Sequence, residues 1–250
     1  MAKIFKVGGC IRDKFLGVDS KDIDFTFVCE NSKTIEEGWS EMVNWLTERK
    51  FVIFLETPDC FTIRAKFPKG DTNEGLVADF VMARKEIGYI EGTRKPILEL
   101  GTLEDDLLRR DFTVNALAED IEGNIIDIFD GIADLKKGIL RTPMDATKTM
   151  MDDPLRILRA LRFTITKDFT MADDLWSAMQ QPNILQKLEL TVSGERIREE
   201  IAKMFQFDTN RSFRLLMDVD NVIPGFLDLI FKNGMRLVPT FKKQSTHENN

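Results

Sequence analysis

Residues 7–28 read VGGCIRDKFLGVDSKDIDFTFV, with Asp22 and Asp24 one residue apart at the head of an apolar run. If 22–28 form a strand, alternation sets Asp22, Asp24 and Thr26 on one face and Ile23, Phe25 and Phe27 on the other. The apolar face then packs on helices, and the carboxylate face opens to a cleft. Two ionised carboxylates this close repel each other unless a cation neutralises them. Mg²⁺ accepts oxygen ligands of this kind. Upstream, Gly8-Gly9 lets the backbone approach an anion, and Arg12 offers phosphate a fork of donors. Phosphate and metal in one place read as a phosphoryl-transfer site. A plainer role fits the same residues: Asp-x-Asp is common at a strand start, and Asp22 can simply end the turn after Gly17.

Working outward, the 250 residues suffice for one large domain or two modest ones with a real core. Hydrophobic content of 43% and charged content of 31% are those of a soluble globular chain. No apolar run approaches the ~20 residues of a membrane span, and MAKIFKVGG has too short an apolar stretch for a signal peptide. Cys10, Cys29 and Cys60 are odd in number and lack a C-x-x-C spacing, so a reducing, cytoplasmic setting is expected and a zinc site is not. The one histidine, His247, lies in a polar tail, which excludes histidine-based catalysis. A net charge of −7 argues against coating nucleic acid by bulk electrostatics but leaves room for a local basic groove.

Ile35, Trp39, Met42, Val43 and Leu46 recur at helical spacing over 34–49. Residues 51–55 and 61–67 read as strands, as does 76–82, which brings Asp79 either toward the same cleft or into a buried pairing. From 84 to 101 the chain is polar and Gly/Pro-punctuated, with Arg84, Lys85, Arg94 and Lys95, and reads as a mobile basic loop. Residues 102–120 read as a helix that places Asp111 and Asn115 on one face beside Arg109 and Arg110. Such a face suits sugar hydroxyls and phosphates, or is a solvated surface. A short strand and turn at 123–131 closes the α/β part. The signals then turn helical at 152–163, 173–181, 194–207 and 210–219. In 152–163, Arg156, Arg159 and Arg162 recur every third residue on one side of a helix, which points to an anion nearby. Asp153-Pro154 reads as N-cap and first helical residue. An aspartate acceptor beside an arginine fork also suits the edge of a nucleobase.

The ordered blocks GGCIRD, DID, LRRDFTVNALA, DIFDGIADLKKGILR, DDPLRILRALRF and SGERIREE resemble the class II tRNA nucleotidyltransferases and bacterial poly(A) polymerases, of the polymerase β-like nucleotidyltransferase superfamily. The resemblance spans residues 4 to about 230 with every block in order. It implies an α+β fold: an N-terminal nucleotidyltransferase head over 1–140 with a mixed β-sheet flanked by helices, an all-α neck over 141–235, and a disordered tail over 236–250. It implies that Gly9 and Arg12 hold a triphosphate, that Asp22 and Asp24 are catalytic and bind Mg²⁺, and that Arg110 contacts the nucleotide with Asp111 and Asn115 near its ribose. Asp153 and Arg156 would read the base of CTP or ATP, with Arg159 and Arg162 in the same pocket. Glu195, Arg196 and Arg198 would brace that helix.

The implied activity is template-independent addition of CMP and AMP to a tRNA 3′ end. Poly(A) synthesis, CC-only or A-only addition, and a non-catalytic RNA-binding role are the alternatives. The family has Glu-Asp where this chain has Asp152-Asp153. It also continues past the neck into tRNA-gripping domains that would begin about where these 250 residues end, which leaves open a reduced grip on tRNA, a homo-oligomer or partner supplying those domains, or a minimal enzyme.

Overall fold

The computed structural model describes residues 3–20, 23–89 and 96–232. The chain enters through β1 (Lys3–Val7), α1 (Gly9–Phe15), β2 (Ile23–Val28) and α2 (Ile35–Glu48). A meander of β3 (Val52–Thr57), β4 (Thr62–Lys66) and β5 (Val77–Met82) follows, then a hairpin of β6 (Arg84–Tyr89) and β7 (Pro96–Leu100). Next come α3 (Leu103–Leu108), β8 (Leu117–Glu119), β9 (Ile125–Asp127), α4 (Gly131–Lys137) and β10 (Ile139–Leu140). The remainder is helical: α5 (Ala146–Asp152), α6 (Arg156–Thr166), then β11 (Thr170–Met171), α7 (Asp173–Met179), α8 (Pro182–Thr191), α9 (Gly194–Phe207), α10 (Thr209–Val222) and α11 (Phe226–Phe231).

The seven-stranded sheet runs β3-β4-β5-β2-β1-β8-β9. It is mixed, because β2 and β5 are parallel while their other neighbours are antiparallel. The alternation expected of 22–28 is present from Ile23 on. Phe27 joins Phe80, Met42 and Leu46 in a core where α2 covers one face of the sheet. Phe25 stacks on Phe80 at 5.0 Å, and Phe51 meets both Phe80 and Phe67 within about 5.2 Å. Burying each such ring contributes about 1.5–3 kcal/mol. On the opposite face α3 covers only the β1–β2 half, through Val7, Leu107, Ala116 and Phe5. Helices α5–α11 share a separate core that Phe112 and Val114 also enter. Parallel pairing of β10 with β11 ties this helical part to the end of the sheet part. The fold is α+β, as expected.

Four local expectations change. The stretch 84–101 is a β-hairpin over its described residues, not a basic loop; Arg84 pairs with Leu100 and Lys85 with Glu99. Arg94 and Lys95 lie outside the described residues. The helix expected over 102–120 ends at Leu108, after a start fixed by the reciprocal Thr102/Asp105 cap. Asp111 then accepts from the Phe112 N–H at 2.9 Å, and Thr113–Asn115 form a single 3₁₀ turn. Side-chain bonding to the local backbone followed by β-branched residues competes with helix continuation. The helix expected from Asp153 starts later, at Arg156, and a separate helix ends at Asp152 before it. Asp153 precedes proline and is driven to extended geometry (φ −138°, ψ 99°), which ends α5 and delays α6 to Arg156. The last difference is α8, whose proline start and weak apolar stripe hid it. The tail expected at 236–250 lies outside the described residues. All three cysteines are unbridged, and among the described residues no helix is long and apolar enough to cross a membrane.

Candidate active site

Strand β2 presents Asp24 on the face left uncovered by α2. Asp22 lies outside the described residues. Thr26, on the same face as Asp24, is buried: its hydroxyl donates to Asp106 Oδ2 at 2.7 Å. Of the expected Asp22–Asp24–Thr26 row, the open part therefore begins at Asp24. Across the parallel pairing Asp79 stands in register with Asp24, so of the two roles left open for it, cleft and pairing, it lies beside the carboxylate face and is also paired. Asp79 is engaged there by Arg64, whose Nε and Nη2 donate to its two carboxylate oxygens at 2.6 and 2.7 Å. Among the described residues no three His, Cys, Asp or Glu converge as a metal cluster. What Asp24 and Asp79 offer is carboxylate oxygen, the donor a hard divalent cation takes.

The chain crosses from β1 to α1 through Gly8, at φ 81°, a conformation that disfavours any side chain. A Cβ there would fall 2.7 Å from Arg110 Nη1. The bare backbone at Gly8 thus admits the Arg110 guanidinium, and Val7, one residue earlier, pairs with Asp24. Cation and carboxylate become neighbours across two strands. Gly9 is the first residue of α1, with Arg12 Nη2 against it. Arg110 is held from behind by Asp106, which also takes Arg109. Asp106 has no exposed surface. Burial pushes its carboxyl up, but the guanidiniums of Arg110 and Arg109 and the Thr26 hydroxyl outweigh that and hold it at about 2. The sequence reading missed Asp106, although its spacing of three and four residues from the two arginines was a usable signal.

The other expected nucleotide-binding residues form one polar chain. Arg12 is buried; it donates to Asp13 from Nε at 3.0 Å and from Nη2 at 2.9 Å, and to Asn115 Oδ1 from Nη1. Asn115 Nδ2 donates to Asp111 Oδ1 at 2.8 Å, so the Asp111–Asn115 pairing survives without the helix that suggested it. Arg159 donates to Asp111 at 2.8 Å, and Arg162 to Glu200 of α9 at 2.6 Å. Lys167 closes the circuit on Asp13 at 2.9 Å. Burial raises the Asp111 carboxyl, yet Arg159 and Asn115 leave it below the usual carboxylate range. Arg159 is held above its ordinary value because Asp111 outweighs desolvation. Phe163 lies beneath three cations: Arg12 at 5.0 Å, Arg162 at 4.5 Å and Arg159 at 6.0 Å from the ring centroid. Two of the three arginines in the α6 row, Arg159 and Arg162, thus face buried acids of their own chain, partners that helical spacing could not reveal.

The Arg156 N–H donates to the Asp153 carbonyl at 3.0 Å, but the two side chains turn to different partners. Asp153 Oδ2 accepts from Arg196 Nη2 at 2.9 Å, the bracing expected of that α9 residue. Arg156 donates to the Thr149 carbonyl at 3.0 Å and to the Arg109 carbonyl at 2.6 Å, and burial pulls its pKa down. A cavity of about 1630 Å³ lies elsewhere, between α2 and β1 on the covered side, and seven Glu and Asp against three Lys and Arg stand among its eighteen lining residues. Size and chemistry part company here; the acidic rim is wrong for a phosphate.

The site thus combines a strand carrying Asp24, an arginine admitted over a glycine turn, and α6 arginines tied to the Arg109 carbonyl, Asp111 and Glu200. The sequence profile of the poly A polymerase head domain matches residues 4–141. The chain belongs to the poly A polymerase head-domain family. Family relatives include the tRNA nucleotidyltransferase cca2 of Schizosaccharomyces pombe, 34% identical over 206 residues, covering 80% of this chain and 42% of that protein. A solved tRNA nucleotidyltransferase complexed with a primer tRNA and an incoming ATP analog superposes with a TM-score of 0.67 at 27% identity, over 92% of this chain and 60% of that one. The Bacillus stearothermophilus CCA-adding enzyme in complex with CTP gives the same TM-score and identity over 90% and 50%. The chain spans about a third to a half of the length of the curated relatives it matches.

Proposed function

We propose that this member of the family is a template-independent nucleotidyltransferase that adds CMP and AMP from CTP and ATP to the 3′ end of tRNA and releases pyrophosphate. The observation that carries this reading is the placing of Arg110 over Gly8, one residue along β1 from the partner of Asp24. A triphosphate lying on that turn meets a guanidinium, and its α-phosphate lies toward the carboxylates. Asp22 and Asp24 would hold magnesium, which when bound neutralises phosphate charge and makes the attacking hydroxyl more acidic. Arg110, fixed by buried Asp106, supplies a donor that need not reorganise when charge develops. Gly9 and Arg12 support the same turn, and Asp111 and Asn115 brace Arg12 and Arg159 near where the ribose would lie. Asp153 and Arg156 would discriminate C and A from G and U, since a wrong base leaves their polar atoms unpaired. Arg159 and Arg162 hold α6 in place for that work.

The test is incubation of purified protein and magnesium with tRNA lacking its 3′ end, with CTP, ATP or both, followed by sizing of the product. Three added residues identify CCA addition, two CC-only and one A-only addition, and a ladder identifies poly(A) synthesis. Asp24→Ala should abolish incorporation with unchanged circular dichroism. Wild-type rates in that variant refute the assignment.

A further inference from the structure

The carboxylate face does not end at Asp79. Moving outward from Asp24 the register runs to Asp79, then Arg64 on β4, then Leu55 on β3; Val77, Lys66 and Val52 form the next row. Among the described residues no helix covers this half, since α3 packs on the β1–β2 side. It exposes Val52 (58%), Phe54 (50%), Leu55 (47%) and Val77 (37%). The register of β3 shifts between Ile53 and Leu55, leaving Phe54 as the extra residue of a bulge. Ile53 packs inward on the core. Strict alternation would have sent Leu55 inward as well. Because of the bulge, Phe54 and Leu55 both stand on the open side. An exposed edge strand that gains a second apolar residue is a liability for solubility unless something is laid on it.

The chemistry of the face selects its occupant. Lys66 Nζ stands 5.8 Å from the Phe54 ring centroid. Arg64 and Lys66 are the cations of this face, and the Asp79 charge is offset by Arg64. An exposed aromatic ring, flanking aliphatic surface and local positive charge in a chain of net charge −7 suit stacked bases joined by phosphates. The face is continuous with Asp24, where the strand being extended must present its terminal hydroxyl.

We propose that the open β3–β4–β5 face seats the last unpaired nucleotides of the RNA being extended, with a base stacked on Phe54 against Leu55 and a phosphate at Lys66. This inference rests on the proposed function and adds to it where the acceptor strand lies. The decisive experiment measures KM for CTP and for tRNA lacking its 3′ end in wild type, Phe54→Ala and Phe54→Trp. Phe54→Ala should raise the RNA KM about tenfold, the loss of one base–aromatic stack, while the CTP KM stays within about twofold and Phe54→Trp restores RNA binding. Melting should be unchanged, because the ring is half exposed. An unchanged RNA KM in Phe54→Ala overturns the proposal. So does a dimer of the wild type that Phe54→Ala dissociates without changing RNA affinity, which would assign the face to a second copy of the chain. If the wild type extends no RNA, the proposed function fails on its own. Fluorescence anisotropy with a labelled single-stranded hexaribonucleotide then decides the face: weaker binding by Phe54→Ala supports it and equal binding refutes it.

Discussion

Asp106 has no exposed surface and holds three groups at once: the Thr26 hydroxyl, Arg109 and Arg110. Replacing it with asparagine keeps the shape and removes the charge. Its folded carboxyl lies at about 2 against an ordinary 3.8, which at about 1.4 kcal/mol per tenfold contributes about 2 kcal/mol to folding at pH 7. Arg109 and Arg110 are 35% and 20% exposed, so they can rehydrate, and the loss stays below the ~3–5 kcal/mol of breaking a fully enclosed pair. The folded value is the lower one, so the contribution is complete above about pH 4 and is lost as pH falls through about 2. At pH 3 about half of it remains. Urea unfolding followed by tryptophan fluorescence at pH 7 and pH 3 should show Asp106→Asn less stable by about 2 kcal/mol in the first case and about 1 in the second. A gap that is absent at pH 7, or constant between the two, refutes the reasoning. The same variant should raise the nucleotide KM, since Arg110 loses its anchor.

Gly8→Ala should cost about 2 kcal/mol or more, from a left-handed backbone and a Cβ pressed on Arg110, whereas Gly9→Ala, inside α1, should stay within about 1 kcal/mol; urea midpoints of the two variants compare them directly. Arg196→Ala removes the partner of Asp153 from a half-exposed ion pair. Its melting should shift by less than about 1 kcal/mol, while incorporation of UMP and GMP rises in assays supplied with all four nucleotides; unchanged selectivity would show that Asp153 keeps its aim unaided.

Much of the fold was legible because it is written in local periodicity. The alternation from Ile23 to Phe27, the stripe of 35–46 and the Ile197–Met204 face of α9 each report which side of an element is apolar, and each packs as that pattern requires. Where the period was over-read, a short-range competitor won: side-chain bonding at Asp111, and proline after Asp153. Order and spacing of the motif blocks also named the family and the candidate residues.

What no periodicity could supply is the partner each side chain finds. Arg162 meets Glu200 across 38 residues, Arg159 meets Asp111 across 48, and Lys167 meets Asp13 across 154. The arginine row that suggested an external anion is therefore matched by internal acids as well. Likewise the sequence determined by itself that β2 carries a carboxylate face, but not that α3 covers one half and leaves the other open. Alternation depends on bonds along the strand, whereas cover and charge pairing depend on where the chain returns, and that path is set by burial summed over the whole molecule.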